Sequence, residues 1–262
     1  MTKYVLSMTS HPPRFQSLLE VLDHVMIWNS IPERIYLNIV TDDIKKLPRD
    51  IYKSSYSKLL VVNPTIDLGP CGKLVPALEL ERHLPIVTID DDTIFEPDRI
   101  DEMLNEHQLF PKAIIGGRTH MITRDENGKI NSYRQWNKIQ KDIDGPSKEL
   151  FPTGVGMVLY PQQSLHLDAQ RLDVLLMYSK YNDDFWHFFQ ARRAGTQIRQ
   201  TPQRITSTVI EGTQEVGLWS NGNKSRNEEI LNALLDLYGD PLFFKDEKSR
   251  FTRLKRIRQT IR

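Results

Sequence analysis

A short apolar stretch that runs directly into three aspartates constrains the fold of this chain more than any other feature. Residues 86–89 are all β-branched and mostly apolar, and Pro85 precedes them, which is typical of a core strand. The aspartates occupy positions 90–92, and Pro97 stops the strand from continuing beyond them. Because open α/β sheets bind ligands at the carboxyl ends of their strands, the pattern predicts a ligand site here.

The three aspartates predict a positive partner. Adjacent carboxylates repel one another unless a positive group neutralises them, and a divalent cation with oxygen ligands does so while also holding phosphates. The ordinary alternative is a solvated acidic turn, or the N-cap region of a helix that starts near Pro97. The position directly after an apolar strand favours the metal site.

Length and composition indicate one large α/β domain or two small ones. The chain has 262 residues, of which 39% are hydrophobic and 26% charged, enough apolar surface for a core. No apolar run approaches the ~20 residues that span a bilayer, and the first residues resemble a strand more than a signal peptide. The single cysteine, Cys71, excludes an internal disulfide and cysteine-rich zinc sites. We therefore expect a cytoplasmic protein.

The charge is spread unevenly, although the net charge is only +1. Residues 248–262 contain seven Lys or Arg and no acid, which leaves 28 basic and 34 acidic residues elsewhere. Apolar residues recur in this tail at helical spacing, which predicts an amphipathic helix on an anionic membrane surface. A solvated basic tail and a partner-binding helix are the alternatives. The acidic body argues against nucleic acid as a partner.

Strands and helices alternate through the first hundred residues. Strands are predicted over 3–8, 34–40, 58–62 and 86–89, with helices after the first and third. This alternation predicts an α/β fold with a mostly parallel, Rossmann-like central sheet flanked by helices. Four polar loops would then share one edge of the sheet, at 9–14, 41–43, 69–73 and 90–92.

The pattern becomes mixed after residue 92. Helices are predicted over 97–110, 164–178, 183–194 and 226–238. Strands are predicted over 113–115, 155–160 and 204–210, and a hairpin turns at Asn127-Gly128, with a long polar loop over 136–152. We predict one domain over 1–245, with a nucleotide-binding half at 1–95 and a mixed half at 96–245, followed by the tail at 246–262.

These motifs resemble those of the GT-A glycosyltransferases, which transfer sugars from nucleotide-sugar donors. The resemblance covers nearly the whole chain. The segments that carry it are the DXD-type motif Ile89-Asp90-Asp91-Asp92, the small-residue loop at 68–73, Gly154-Val155-Gly156-Met157 and the acidic pair in Asn182-Asp183-Asp184-Phe185-Trp186. The resemblance implies a GT-A fold whose mixed half holds the acceptor, in an enzyme of bacterial surface-polysaccharide synthesis.

The resemblance also assigns metal ligands. It implies that Mn²⁺ or Mg²⁺ stabilises the nucleoside diphosphate leaving group. Asp92 would bind the metal, Asp90 would reach the metal or the ribose, and Asp91 would support both. His187 is a candidate third ligand, although a histidine in such a place is more often structural.

Residues on the other loops of the same edge are candidate nucleotide contacts. Thr9 and Ser10 would line the base and ribose pocket, with loop capping as the alternative. Asp43 is a weaker candidate for the base. Arg14 and Lys73 could bind the nucleotide or diphosphate by charge-assisted hydrogen bonds, or they could be ordinary surface cations.

The acidic pair supplies the candidate catalytic base. Inverting transfer needs a carboxylate to take the proton from the acceptor hydroxyl, and the family pattern favours Asp184 over Asp183 for this role. As the alternative, the two acids suit the helix dipole, and Asn182 or Asp183 is simply the N-cap. Gly154 and Gly156 would let the donor sugar or acceptor approach closely, or they form a bulge. Trp186 would stack on a sugar, or it belongs to the aromatic core.

Two other functions remain open at this point. A nucleotidyltransferase that makes nucleotide sugars should carry a glycine-rich, basic phosphate loop after the first strand, and Ser7-Met8-Thr9-Ser10 is different. A non-catalytic sugar- or nucleotide-binding protein has no need of the acidic pair. The sequence therefore favours a metal-dependent inverting glycosyltransferase with a UDP-sugar donor and a glycan or lipid-linked acceptor. Its tail would hold it peripherally on the inner face of the membrane.

Overall fold

The computed structural model describes residues 2–141, 145–213 and 223–244, with side chains in the last range from residue 226. The strands are β1 (Val5–Thr9), β2 (Arg34–Val40), β3 (Leu60–Thr65), β4 (Ile86–Thr88), β5 (Thr93–Ile94), β6 (Ile114–Gly116), β7 (Thr119–Met121), β8 (Asn137–Lys138), β9 (Leu150–Pro152), β10 (Val158–Tyr160), β11 (Ile198–Gln200) and β12 (Thr208–Val209). The helices are α1 (Phe15–Val25), α2 (Ala77–Leu80), α3 (Arg99–Leu109), α4 (Leu172–Tyr178), α5 (Asp183–Arg193) and α6 (Asn223–Tyr238).

A seven-stranded sheet lies at the centre, in the order β3-β2-β1-β4-β10-β6-β11. Its strands pair in parallel except for β10, which runs antiparallel to β4 and β6. Ser7 of β1 pairs with Tyr36 of β2 and Thr88 of β4, so these three strands end close together at one edge. The predicted α/β fold with a mostly parallel, Rossmann-like sheet is confirmed.

Side chains that alternate along the strands form an apolar core on each face of this sheet. Leu6 and Met8 pack with α1 and α3 on one face. Val5 and Tyr36 belong to the core on the other face, with α2, α4, α5 and α6. A mostly parallel sheet needs helices on both faces because its strands are apolar on both sides. Both predicted halves of the chain contribute strands to the sheet, and the exact domain limits stay a prediction.

Two small antiparallel sheets extend the second half. β7 pairs with β8 and β9, and β5 pairs with β12. In the second pair Ile94 lies opposite Thr208, and the Ile210 amide donates a hydrogen bond of 2.9 Å to the Asp92 carbonyl oxygen. This pairing brings the segment around residue 210 next to the three aspartates.

The third strand is longer than predicted. The sequence indicated a stop at Val62 because Asn63 and Pro64 follow, yet β3 continues to Thr65. β3 is an edge strand whose partner is β2. Proline is tolerated in an edge strand because its missing N–H is not needed on the open side.

Other differences lie in the second half. β11 was not predicted, and the strand expected over 204–210 is reduced to β12. The turn at Asn127-Gly128 forms, since Arg124 bridges Ile130, but β7 then pairs with β8 and β9 instead of a second hairpin arm. Such short strands give little periodicity, so their pairing depends on distant residues.

The predicted contact with a membrane depends on the C-terminal tail alone. Within the described ranges, each helix is too short or too polar to cross a bilayer. The predicted amphipathic helix over 246–262 lies outside the described residues.

Candidate active site

The three aspartates follow β4 at the carboxyl edge of the sheet, as predicted. Asp91 and Asp92 are each only 5% exposed, and Asp90 is half-buried. Burial raises the pKa of Asp91 to about 6 and also raises the pKa of Asp92, while the Arg14 charge opposes both shifts. The alternative of a solvated acidic turn is therefore wrong.

Arg14 neutralises two of these carboxylates. It ends a short 3-10 turn after β1, and its Nη1 donates a hydrogen bond of 2.9 Å to Asp91 Oδ1. The same nitrogen lies 2.9 Å from Asp92 Oδ2. The Thr213 hydroxyl donates to Asp92 Oδ2 at 3.2 Å. Thr213 was not predicted, because only the pairing of β12 with β5 brings it here.

Lys73 joins the aspartates to the acidic pair of α5. It ends a 3-10 turn over 69–73 and is 5% exposed. Its Nζ lies 2.6 Å from Asp90 Oδ1 and 3.0 Å from Asp183 Oδ2. Burial disfavours the charged form, but Asp183 and Asp90 outweigh it and hold the pKa of Lys73 well above its ordinary value. Lys73 is therefore an ammonium ion that links two acidic groups distant in sequence.

The acidic pair is free of the capping role. Asn182 caps α5, since its side chain accepts a hydrogen bond of 2.9 Å from the Phe185 amide. Asp184 Oδ1 instead accepts a hydrogen bond of 2.7 Å from the Gly154 amide.

The two carboxyl groups of this pair titrate in opposite directions. Burial and the neighbouring Asp183 charge raise the pKa of Asp184 to about 8. Burial also acts on Asp183, but Lys73 overcomes it and holds the pKa of Asp183 below its ordinary value. Asp184 keeps some exposed surface although its carboxyl is enclosed by protein. Paired carboxyl groups with separated pKa values are typical of acid–base sites.

The predicted glycines serve close packing at this site. A Cβ on Gly154 would lie 2.5 Å from Lys73 Nζ and 3.2 Å from Asp184 Oδ1. A Cβ on Gly156 would lie 2.2 Å from the Cβ of Arg118. At Gly156 the contact is with the Cβ and backbone of Arg118, so only glycine fits there, whereas approach of a donor sugar or acceptor to either glycine stays a prediction.

The remaining candidate nucleotide-binding residues, Thr9, Ser10 and Asp43, lie at the same edge of the sheet. The Thr9 hydroxyl donates a hydrogen bond of 2.8 Å to the Asn38 carbonyl oxygen, which agrees with the capping alternative. Ser10 is buried beside it. Asp43 follows β2 and accepts a hydrogen bond of 2.7 Å from Lys46. Their contact with a nucleotide stays a prediction.

Trp186 and His187 take the alternative roles, in the aromatic core and as a structural histidine, and not the functional ones. Trp186 is fully buried, and its Nε1 donates to the Ala169 carbonyl oxygen at 3.0 Å, so sugar stacking by this ring is wrong. His187 is 2% exposed, and its Nδ1 lies 3.9 Å from Asp183 Oδ2, one helical turn away. Burial lowers the pKa of His187 to about 4.

The predicted set of three metal ligands is therefore not assembled. Among the described residues, no three or more His, Cys, Asp or Glu side chains converge to hold a metal ion. His187 faces Asp183, whereas Asp90 and Asp92 face Lys73 and Arg14. The two aspartates remain the candidate carboxylate ligands.

Sequence reasoning also missed a basic group beside the turn at 154–156. The charges of Arg118, Arg204 and Lys138 act on the buried ring of His120, which lies near the Tyr133 ring. Arg118 follows Gly116-Gly117 directly after β6, so the strand-end argument applied to the first four strands would have found it.

Comparison with known proteins supports the fold. No protein-family model matches this chain, and no curated protein matches it. The chain is similar to the crystal structure of S. aureus TarS 1-349, with a TM-score of 0.50, 10% identity, and 90% of this chain and 73% of that chain covered. It is also similar to the inositol-1-phosphate CTP transferase from T. maritima, with a TM-score of 0.46, 14% identity, and 87% and 97% covered. The likeness to TarS shows a shared α/β fold, and the activity has to be argued from the site.

Proposed function

We propose that this chain is a glycosyltransferase that moves a sugar from a nucleotide donor, expected to be a UDP-sugar, to a glycan or lipid-linked acceptor. The observation that carries the proposal is the position of Lys73. Its ammonium group contacts Asp90 at the ligand-binding edge of the sheet and Asp183 beside Asp184. These contacts support one site that would hold both the donor diphosphate and a candidate base.

Two cations are available for the donor diphosphate. Arg14 and Lys73 both lie at the carboxyl edge of the sheet, and both contact carboxylates in the free protein. A diphosphate would replace part of these contacts, because phosphate oxygens form strong charge-assisted hydrogen bonds with guanidinium and ammonium groups. Arg14 is the better suited to grip two oxygens, since its guanidinium is a planar fork.

The chemistry of Asp90 and Asp92 fits a divalent metal ion without His187. Mg²⁺ is commonly held by one or two carboxylates together with substrate phosphates. The carboxylates would therefore exchange Lys73 and Arg14 for the ion when the donor arrives. Bound Mn²⁺ or Mg²⁺ would stabilise the negative charge that develops on the departing diphosphate.

Asp184 is the proposed general base. The Gly154 amide fixes its Oδ1, and within the described residues its Oδ2 has no hydrogen bond to protein. Oδ2 can therefore accept the proton of an acceptor hydroxyl as that hydroxyl attacks the sugar. The raised pKa makes the ionised carboxylate, which prevails above about pH 8, a stronger base than an ordinary aspartate.

Nucleotide release from a panel of nucleotide sugars tests this proposal. Thermal shift with Mn²⁺ and UDP, GDP or CTP should identify one nucleotide that raises the Tm only with metal. A nucleotidyltransferase would instead release pyrophosphate from a nucleoside triphosphate and a sugar phosphate. A binding protein would be stabilised without turnover. Absence of stabilisation by every nucleotide would contradict the proposal.

A further inference from the structure

A basic cluster lies beside the proposed base, made of Arg118, Arg204, Lys138 and His120. The Ile205 amide donates a hydrogen bond of 2.6 Å to the Gly117 carbonyl oxygen, which sets Arg204 next to Arg118 along neighbouring chain segments. His120 of β7 pairs with Lys138 of β8. Four residues from three segments are thus brought together by tertiary structure.

The members of this basic cluster lack acidic partners in the part of the chain that the structure describes. Arg118, Arg204 and Lys138 make no ion pair there, and Arg118 Nε is buried without a hydrogen bond. His120 is 5% exposed, and neither ring nitrogen has a partner. Burial and the surrounding positive charges lower the pKa of His120 to about 4, so the ring is neutral. Positive charges gathered without a counter-charge raise the free energy of the protein, and a bound anion would lower it.

The basic cluster adjoins Asp184 through the backbone. The Thr153 amide donates a hydrogen bond of 3.0 Å to the Arg118 carbonyl oxygen, and the next amide, that of Gly154, holds Asp184. The Tyr133 ring lies 5.4 Å from the His120 ring. Burial and the Asp184 charge raise the pKa of Tyr133, so this phenol stays neutral between the base and the cluster.

We propose that Arg118, Arg204 and His120 bind a phosphate or carboxylate group that the acceptor carries near the hydroxyl deprotonated by Asp184. The assignment to the acceptor rests on the proposed function. The two arginines present planar forks suited to the oxygens of such an anion, and neutral His120 adds one N–H donor. The donor diphosphate already has its own cations, Arg14 and Lys73, at the aspartates.

Calorimetric titration with inorganic phosphate tests the anion site without any need for turnover. Arg118→Ala and Arg204→Ala should each weaken phosphate binding by about tenfold. Arg118→Lys, which keeps the charge and loses the fork, should give an intermediate loss and covers the case in which Arg118→Ala does not fold. Lys129→Ala, at an exposed turn, should stay within about twofold of the unmodified protein, whereas Arg14→Ala reports separately on phosphate held at the aspartates.

Three results would overturn the proposal. The first is no phosphate binding by the unmodified protein. The second is phosphate binding by Arg118→Ala and Arg204→Ala that equals binding by the unmodified protein. The third is a loss confined to Arg14→Ala. UDP binding measured on the same proteins keeps the two proposals separate. If the unmodified protein binds phosphate but does not bind UDP, only the nucleotide-sugar assignment is contradicted.

Two nucleotide sugars that differ by one carboxylate test whether the bound anion belongs to the acceptor or to the donor sugar. UDP-glucose and UDP-glucuronate should respond equally to Arg118→Ala if the basic cluster serves the acceptor. A selective loss of UDP-glucuronate binding by about tenfold would assign the cluster to the donor sugar and overturn the acceptor assignment.

Discussion

The two basic regions of this site differ in how their charge is balanced. At the edge of the sheet that we propose binds the donor, called the donor edge below, Arg14 and Lys73 each contact two carboxylates. In the basic cluster, Arg118 and Arg204 contact none within the described residues. The donor edge is thus stabilised before any ligand arrives, and its ligand must compete with internal partners. The basic cluster keeps positive charge that only a ligand offsets, so its residues are expected to matter for binding more than for stability.

The largest effect is expected on turnover. Asp184→Asn removes the proposed base but retains the shape of the side chain, so turnover should fall by about 10²- to 10⁴-fold. Nucleotide binding should persist, because Arg14 and Lys73 are untouched. Nucleotide release and titration with UDP measure the two quantities, and Asp173→Asn, on an exposed carboxylate, is the matched control. Lost UDP binding in Asp184→Asn would remove the assignment as base.

A pair of methionine variants compares the two basic regions directly. Lys73→Met leaves Asp90 and Asp183 without their cation, and breaking a buried ion pair in this way lowers the free energy of unfolding by about 3–5 kcal/mol. Arg118→Met removes an uncompensated charge, so the free energy of unfolding should change by less than about 1 kcal/mol. Urea denaturation measures both. Equal losses in the two variants would contradict the contrast.

Removal of metal should weaken ligand binding at the donor edge and leave ligand binding at the basic cluster unchanged. With EDTA, binding of UDP at the donor edge should weaken by about tenfold or more, because Asp90 and Asp92 would hold a divalent ion that supports diphosphate binding. Phosphate binding at the basic cluster should be unchanged, since arginine needs no metal. Titrations with UDP and with phosphate, each with and without EDTA, check this. UDP binding that is indifferent to EDTA would show that Arg14 and Lys73 suffice.

The last prediction concerns the pH dependence of stability. The raised pKa of Asp184 means that the folded protein holds a proton which the unfolded chain releases near pH 4. This contribution is present at low pH and is lost as pH rises towards about 8. Relative to Asp184→Asn, the unmodified protein should therefore lose up to about 1.4 kcal/mol of unfolding free energy per pH unit over that range. Parallel stability curves for the two proteins would contradict the shift.

The sequence predicts the donor edge better than the rest of the site, and the reason is locality. β4, the three aspartates and the pair at 183–184 each lie within a short segment, so their positions follow from periodicity and helix starts. The contact of Lys73 with Asp183 and that of Thr213 with Asp92 join distant segments. No local pattern encodes such partners, because strand order and helix docking decide them.

The errors have equally physical causes. Trp186 was expected at a sugar because it follows the acidic pair, but α5 is buried nearly all round, so a large ring there enters the core. His187 lies one turn after Asp183 on the same helix, and this spacing directs it to Asp183 and away from Asp92. Pro64 predicted a strand end because proline interrupts internal strands, but β3 is an edge strand, where proline is tolerated.

A structure of the protein crystallised with UDP and Mn²⁺ tests the central claim most directly. The account predicts that the diphosphate lies within hydrogen-bonding distance of Arg14 or Lys73, with the metal bound by Asp90 or Asp92. If UDP occupies another place while Arg14 and Lys73 keep all their present carboxylate contacts, the proposed donor edge is wrong.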